Sequence, residues 1–187
     1  MKVHKYVDGS CFTLKILCPE VKEVAQEQLK RLQGLVEKPM SLDKLHLGLK
    51  YLGYETDHED EYIKSLIPEI KPIVKRYLPL EIEIEGVGAF YDTPEWPSKT
   101  IIFLKVKENK RLRAFHDELR TSLKDKVDTF ELAEGEYYTP HISIAVGREG
   151  CEEELKRVID ESDQRLIIYT VNKFGMRLKE DKLEVIE

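Results

Sequence analysis

The stretch "KLHLGLKYLG", Lys44 to Gly53, decides how this chain is read. Leu45, Leu47 and Leu49 alternate with His46, Gly48 and Lys50, a period of two that predicts a strand with one face in the core. An imidazole therefore stands on the other face, with a bare glycine as its next neighbour there. A second stretch, "PHISIAVG" from Pro140 to Gly147, repeats the arrangement with Ile142 and Ile144 turned inward. Residues two apart on a strand share a face, so His141 stands beside Ser143 as His46 stands beside Gly48. Lys50 has the same parity as His46 and is expected on its face.

Working outward, the same order of elements occurs twice. "CFTLKILC" (11–18) reads as a strand, and Pro19 opens a helix over "PEVKEVAQEQLKRLQGLV" that Pro39 ends. The His46 strand follows. The next helix, "DHEDEYIKSLIPEIKPIVKRYL" (57–78), should be kinked or split by Pro68 and Pro72. "LEIEIEGVGAF" (80–90) is then a strand with alternating faces. The second half runs through a buried strand, "TIIFLKV" (100–106), and a helix, "NKRLRAFHDELRTSLKDKV" (109–127). The His141 strand, a helix around "CEEELKRVIDES" (151–162), the strand "RLIIYTVNKFGM" (165–176) and a short final strand, "KLEVIE", complete it. Each half is strand, helix, His-strand, helix, strand. This predicts a single domain over 1–187 made of pseudo-repeats, roughly 11–91 and 100–175. Strands separated by single helices predict an α/β or α+β architecture. If the halves face each other across a pseudo-twofold axis, the two histidines meet in one cleft.

Composition limits the partners. A net charge of −6 and a pI near 5.5 exclude an overall basic field for long nucleic acid. A few local cations still suffice for a short oligonucleotide or a nucleotide end. Three cysteines, Cys11, Cys18 and Cys151, form no CxxC pair, which argues against a disulfide framework and for a reducing compartment. The stretch "MKVHKYVDGS" lacks the apolar core of a signal peptide, and no run reaches membrane-spanning length. The expectation is a soluble cytoplasmic monomer without membrane or obligate protein partner.

A lone histidine in an apolar strand is more often packed than reactive. Two in matching elements point to chemistry that needs a base at one end and an acid at the other. Imidazole serves both roles near neutral pH, and each role typically contributes about 10²–10⁴ in rate. In-line displacement at phosphorus has that geometry. A hydroxyl beside each histidine, such as Ser143, would hold a non-bridging phosphate oxygen.

The pair resembles the two-histidine (2H) phosphoesterase superfamily, whose motif of His, apolar residue, Thr or Ser, apolar residue occurs twice. "HLGLKYLG", "PHISI" and the intervening "GVGAF" are most similar to the LigT-like RNA 2′,3′-cyclic phosphodiesterases, also called 2′-5′ RNA ligases. The resemblance implies an α+β bilobal fold with two antiparallel-rich sheets facing a central cleft and helices packed outside. It implies metal-independent hydrolysis of cyclic phosphate ends of RNA or short nucleotides, with no cofactor. His46 and His141 would be the acid–base pair, Ser143 a phosphate ligand, and the product a 2′-phosphate. Related enzymes that degrade 2′-5′ oligoadenylate or cyclic oligonucleotide signals define a second substrate class. Gly48 departs from the motif. It is expected to make room for substrate, the alternative being a nucleotide-binding module that has lost catalysis.

Further candidates are weaker. Arg148 lies two positions farther from its histidine than the arginine the family often carries. Tyr137, Tyr138 or Trp96 could stack on a base, though packing is their commoner role. His4, His58 and His116 read as solvated. No third ligand accompanies the two histidines for a metal.

Overall fold

The computed structural model describes residues 10–52, 60–93, 96–127, 134–162, 166–178 and 182–186. His4, His58 and the side chain of Trp96 lie outside the described part.

The chain builds nine strands and five helices among the described residues. They are β1 (Cys11–Lys15), α1 (Pro19–Arg31), β2 (Val36–Pro39), β3 (His46–Tyr51), α2 (Asp60–Ser65) and α3 (Ile67–Tyr77). Then come β4 (Leu80–Thr93), β5 (Trp96–Lys107), α4 (Lys110–Leu123), β6 (His141–Gly147), α5 (Glu152–Asp160), β7 (Leu166–Val171), β8 (Phe174–Leu178) and β9 (Lys182–Ile186). Two sheets result, of order β3-β1-β8-β9 and β2-β6-β5-β4-β7, with every neighbouring pair antiparallel. The class is α+β. No helix among the described residues is long and apolar enough to cross a membrane.

Local chemistry explains where the elements begin and end. α1 starts at Pro19, carries Glu20 in its first turn and Lys30 and Arg31 in its last, and buries Val21, Val24 and Ala25. It stops five residues short of the expected end, because Gly34 turns the chain at φ +94°. Only its last expected residue, Val36, goes on into β2, an edge strand on β6 where Pro39 is tolerated. Pro68 falls in the first turn of α3, so the long second helix divides into α2 and α3, while Pro72 stays inside α3. The expected strand 165–176 is two strands in different sheets, since the chain crosses between them at Asn172 and Lys173.

Both sheets draw on both halves of the chain. β8 and β9 join the β1–β3 pair, and β2 and β4 join β5 and β6. The helices exchange as well: α4 packs on β3 and α1 on β6. One continuous buried cluster runs from Phe12, Leu14 and Leu47 through Leu104, Phe115 and Ile142. β3 and β6, which carry the two histidines, lie next to each other.

Candidate functional site

β3 and β6 share one backbone plan. In β3, Lys15, Leu14 and Thr13 of β1 stand opposite His46, Leu47 and Gly48, but Phe12 pairs with Lys50, so Leu49 is an extra residue. In β6, Lys105, Leu104 and Phe103 of β5 face His141, Ile142 and Ser143, and Ile102 pairs with Ala145, leaving Ile144 extra. The bulge falls three residues after the histidine in both strands. Ahead of it, burial alternates as the sequence predicts. Leu47 and Ile142 are fully buried, while His46, Gly48, His141 and Ser143 are half-buried on the other face.

Both imidazoles are anchored alike. His46 Nδ1 lies 2.8 Å from the Lys44 carbonyl oxygen, and His141 Nδ1 lies 2.8 Å from that of Thr139. A carbonyl only accepts, so each Nδ1 carries the hydrogen and Nε2 is the basic nitrogen of each neutral ring. The carbonyl two residues back fixes tautomer and ring plane in both strands.

The surroundings then diverge. Phe103 and Phe90 pack with ring centroids 4.3 Å apart, and His141 meets Phe90 edge-on at 5.0 Å and Phe103 at 5.3 Å. Burial in this apolar setting holds the His141 pKa below its ordinary value, against the opposing bond to Thr139. Gly88 makes the packing possible: a Cβ there would come within 2.9 Å of Lys105 Cε and 3.0 Å of the Phe103 ring. On the other sheet the place of Phe103 belongs to Thr13, flanked by Gly48 on one side and Gly175 on the other. The Thr13 hydroxyl is buried and has no hydrogen-bond partner among the described residues. Beside Gly48 the space is open, with nothing within 4 Å of where a Cβ would stand.

A buried polar network ties the two His-strands together. Tyr138, three residues before His141, donates its hydroxyl to the Gly48 carbonyl at 2.8 Å. Burial raises the phenol's pKa, which keeps it a donor. Its ring stacks on His116 at 3.9 Å and 4°, and the Arg113 guanidinium sits 5.2 Å from its centre on a bond of 2.9 Å to its carbonyl. His116 Nδ1 donates to the Leu49 carbonyl at 2.6 Å, and its Nε2 accepts from the Gly135 N–H at 3.2 Å. Lys50 Nζ meets Glu134 Oε1 at 2.5 Å, with side chains 0% and 2% exposed.

Three expectations change here. Lys50 does not share the His46 face: the extra residue Leu49 reverses parity and turns Lys50 to the Phe12 side, into the core. Tyr138 is a packed link between the strands, leaving no exposed ring face for a base. His116 is buried, because α4 packs on β3 and Leu49 and Gly135 satisfy both of its nitrogens. Arg148 is exposed just past the far end of β6, about 20 Å along the strand from His141 at ~3.3 Å per residue. Tyr137 is 60% exposed. Lys15, Lys105, Phe90 and Phe103 escaped the sequence reading. The signal was present as a repeated tripeptide, Leu14-Lys15-Ile16 and Leu104-Lys105-Val106, in the strand next to each His-strand.

Comparison with known proteins gives the family and the fold. The family model of the 2′-5′ RNA ligase superfamily matches residues 21–177. The chain belongs to that superfamily, a branch of the two-histidine phosphoesterases. A Geobacillus kaustophilus protein, provisionally named a phosphoesterase, is 31% identical over 107 residues, which are 57% of this chain and 54% of that protein. The aligned part thus spans about half of that relative. Among solved structures, E. coli LigT complexed with 3′-AMP superposes with a TM-score of 0.61 at 17% identity, covering 96% of this chain and 94% of that one. TT0787 of Thermus thermophilus gives 0.59 at 17% identity, covering 96% and 95%. Usb1 of Kluyveromyces marxianus with uridine monophosphate gives 0.57 at 8% identity, covering 95% and 96%. At these identities the structural matches establish the shared fold.

Proposed function

We propose that this phosphoesterase hydrolyses 2′,3′-cyclic phosphate ends of RNA or short nucleotides, with His46 and His141 as the acid–base pair. The observation that carries the reading is the matched anchoring of two imidazoles by the carbonyl two residues back, on strands linked by the Tyr138–Gly48 bond. His141, held toward its neutral form by burial, is suited to take the proton from water. As the water oxygen bonds to phosphorus, the bond to the ribose 3′-oxygen breaks, and His46 as imidazolium gives that oxygen its proton. The product carries a 2′-phosphate. Ser143, on the face of His141, donates to a non-bridging oxygen in this reading. The chain is read as a single cytoplasmic domain, acting as a monomer on small nucleotide ligands.

Incubating the purified protein in EDTA with an oligoribonucleotide ending in a 2′,3′-cyclic phosphate, followed by analysis of the ends, tests this reading. Accumulation of 2′-phosphate ends is expected. Turnover that needs added metal would overturn it, and so would faster cleavage of 2′-5′ oligoadenylate.

A further inference from the structure

Two lysines stand in equivalent places in the two lobes. Lys15 is the cross-strand partner of His46, and Lys105 is the cross-strand partner of His141. Directly opposed residues of an antiparallel pair project from the same face with Cβ atoms about 5 Å apart. Each lysine therefore rises beside its histidine, one strand outward from the line between β3 and β6. Both are half-buried.

A lysine on a sheet face ordinarily finds a carboxylate or open water. Among the described residues neither of these makes an ion pair, although Lys22, Lys64, Lys107 and Lys126 all do. The carboxylate that feels Lys15 is Asp43, and Lys22 already bonds it at 2.6 Å. The bare Cα of Gly88 leaves space in which the Lys105 chain lies, since a Cβ there would stand 2.9 Å from its Cε. The two lobes differ at almost every other position around the histidines, with Gly48 against Ser143 and Thr13 against Phe103. The lysine is the charged group they have in common.

We propose that Lys15 and Lys105 are substrate-anion ligands, one beside each histidine, and that the cleft prefers an oligonucleotide end to a mononucleotide. The proposal rests on the reading of the site as a phosphodiesterase centre. A mononucleotide brings one phosphate, whereas the two ammonium groups stand in different sheets, one beside each histidine. A ligand with a neighbouring internucleotide phosphate matches both. One lysine faces the reacting group and the other takes the adjacent phosphate, as compact point charges rather than planar forks.

The test is calorimetric titration of the full chain with two probes, adenosine 2′-monophosphate and a diadenylate ending in a 2′-phosphate. Wild type is compared with Lys15→Met, Lys105→Met and, as a remote charge control, Lys75→Met on the exposed side of α3. A hydrogen bond to a charged group is worth enough to weaken binding of the diadenylate about 10–100-fold in each site variant. The slope of log Kd against log salt should flatten by about one for each lysine removed. Lys15→Arg and Lys105→Arg should recover most of the affinity, and Lys→Gln replaces any Met variant that fails to fold. Diadenylate affinity within about twofold of wild type in either Met variant would overturn the proposal. So would equal affinity of the wild type for the two probes. Binding is read without turnover, so the two readings fail separately. Lysine-dependent binding with no hydrolysis removes the catalytic reading alone. Hydrolysis that is indifferent to both lysines removes this one alone.

Discussion

β3 and β6 are nearly the same strand in backbone and quite different strands in side chains. Each begins at its histidine, ties Nδ1 to the carbonyl two residues back, inserts an extra residue at the third position and stands across from a lysine. At the second position one has Gly48 and the other Ser143. Just after the bulge one has Lys50 and the other Ala145. The comparison teaches that the anchoring of the two imidazoles depends on the part the strands share, while the divergent positions change the space and the polar groups beside them. It also shows a difference in what each strand needs to stay in place. Ala145 packs into the core without help, whereas Lys50 brings a charge that Glu134 must neutralise.

That last difference gives the largest expected effect on stability. Lys50→Met makes β3 resemble β6 but takes from the buried Glu134 the ammonium that neutralises it, which costs about 3–5 kcal/mol. Urea unfolding should show this loss, and Lys50→Met combined with Glu134→Leu should recover most of it. If the single variant is as stable as wild type, the pair is not the buried link described here.

The second-position contrast comes next, and it is read in activity. Ser143→Ala should lower kcat by about 10²–10³, the usual effect of losing one donor to a developing charge. Gly48→Thr should fold normally, because the space is open and φ there is not left-handed. We expect it to lower kcat/KM by about tenfold on the preferred substrate, through the room it takes. A rise in kcat/KM would mean that Gly48 marks a missing hydroxyl rather than a shaped space.

Smaller still is the link between the strands. Tyr138→Phe removes one hydrogen bond to the Gly48 carbonyl and should cost about 1 kcal/mol by thermal or urea unfolding. A larger fall in kcat than in stability, with KM little changed, would show that the bond positions β3 against the approach to His141. Equal small effects on both would reduce it to packing.

The pH profile sharpens the contrast between the histidines. A base must be neutral to act, and burial lowers the His141 pKa below the ordinary ~6.5 of imidazole. Activity is therefore retained as pH falls to 6.5 and lost only below it, as His141 takes up its proton. Phe103→Ser, which brings a polar group and water to that ring, should move the acidic limb upward. A limb above 6.5 in the wild type would assign the base elsewhere.

Most of this architecture was legible because alternation reports burial directly. Leu47, Gly48, Ile142 and Ser143 lie on the faces their parity predicts, and Pro19 and Pro68 sit in first helical turns. What parity could not show is a bulge, since an added residue leaves no mark in composition and reverses every position after it. Lys50 was misplaced for that reason. His116 was misread because its environment is a different strand's carbonyl and a distant loop amide, neither of which its own helix announces. Lys15 and Lys105 depend on register between strands, which a single strand's pattern does not carry. The stretch 32–36 reads as the tail of a helix until Gly34 is seen to turn.

The central claim is that His46 and His141 work as one unit. A double-mutant cycle on hydrolysis of a cyclic-ended oligoribonucleotide in EDTA tests it most directly. His46→Ala and His141→Ala should each lower kcat by about 10²–10⁴ with the fold intact, and the double variant should be little worse than the poorer single one. Losses that simply multiply, or a single variant that keeps wild-type turnover, would contradict it.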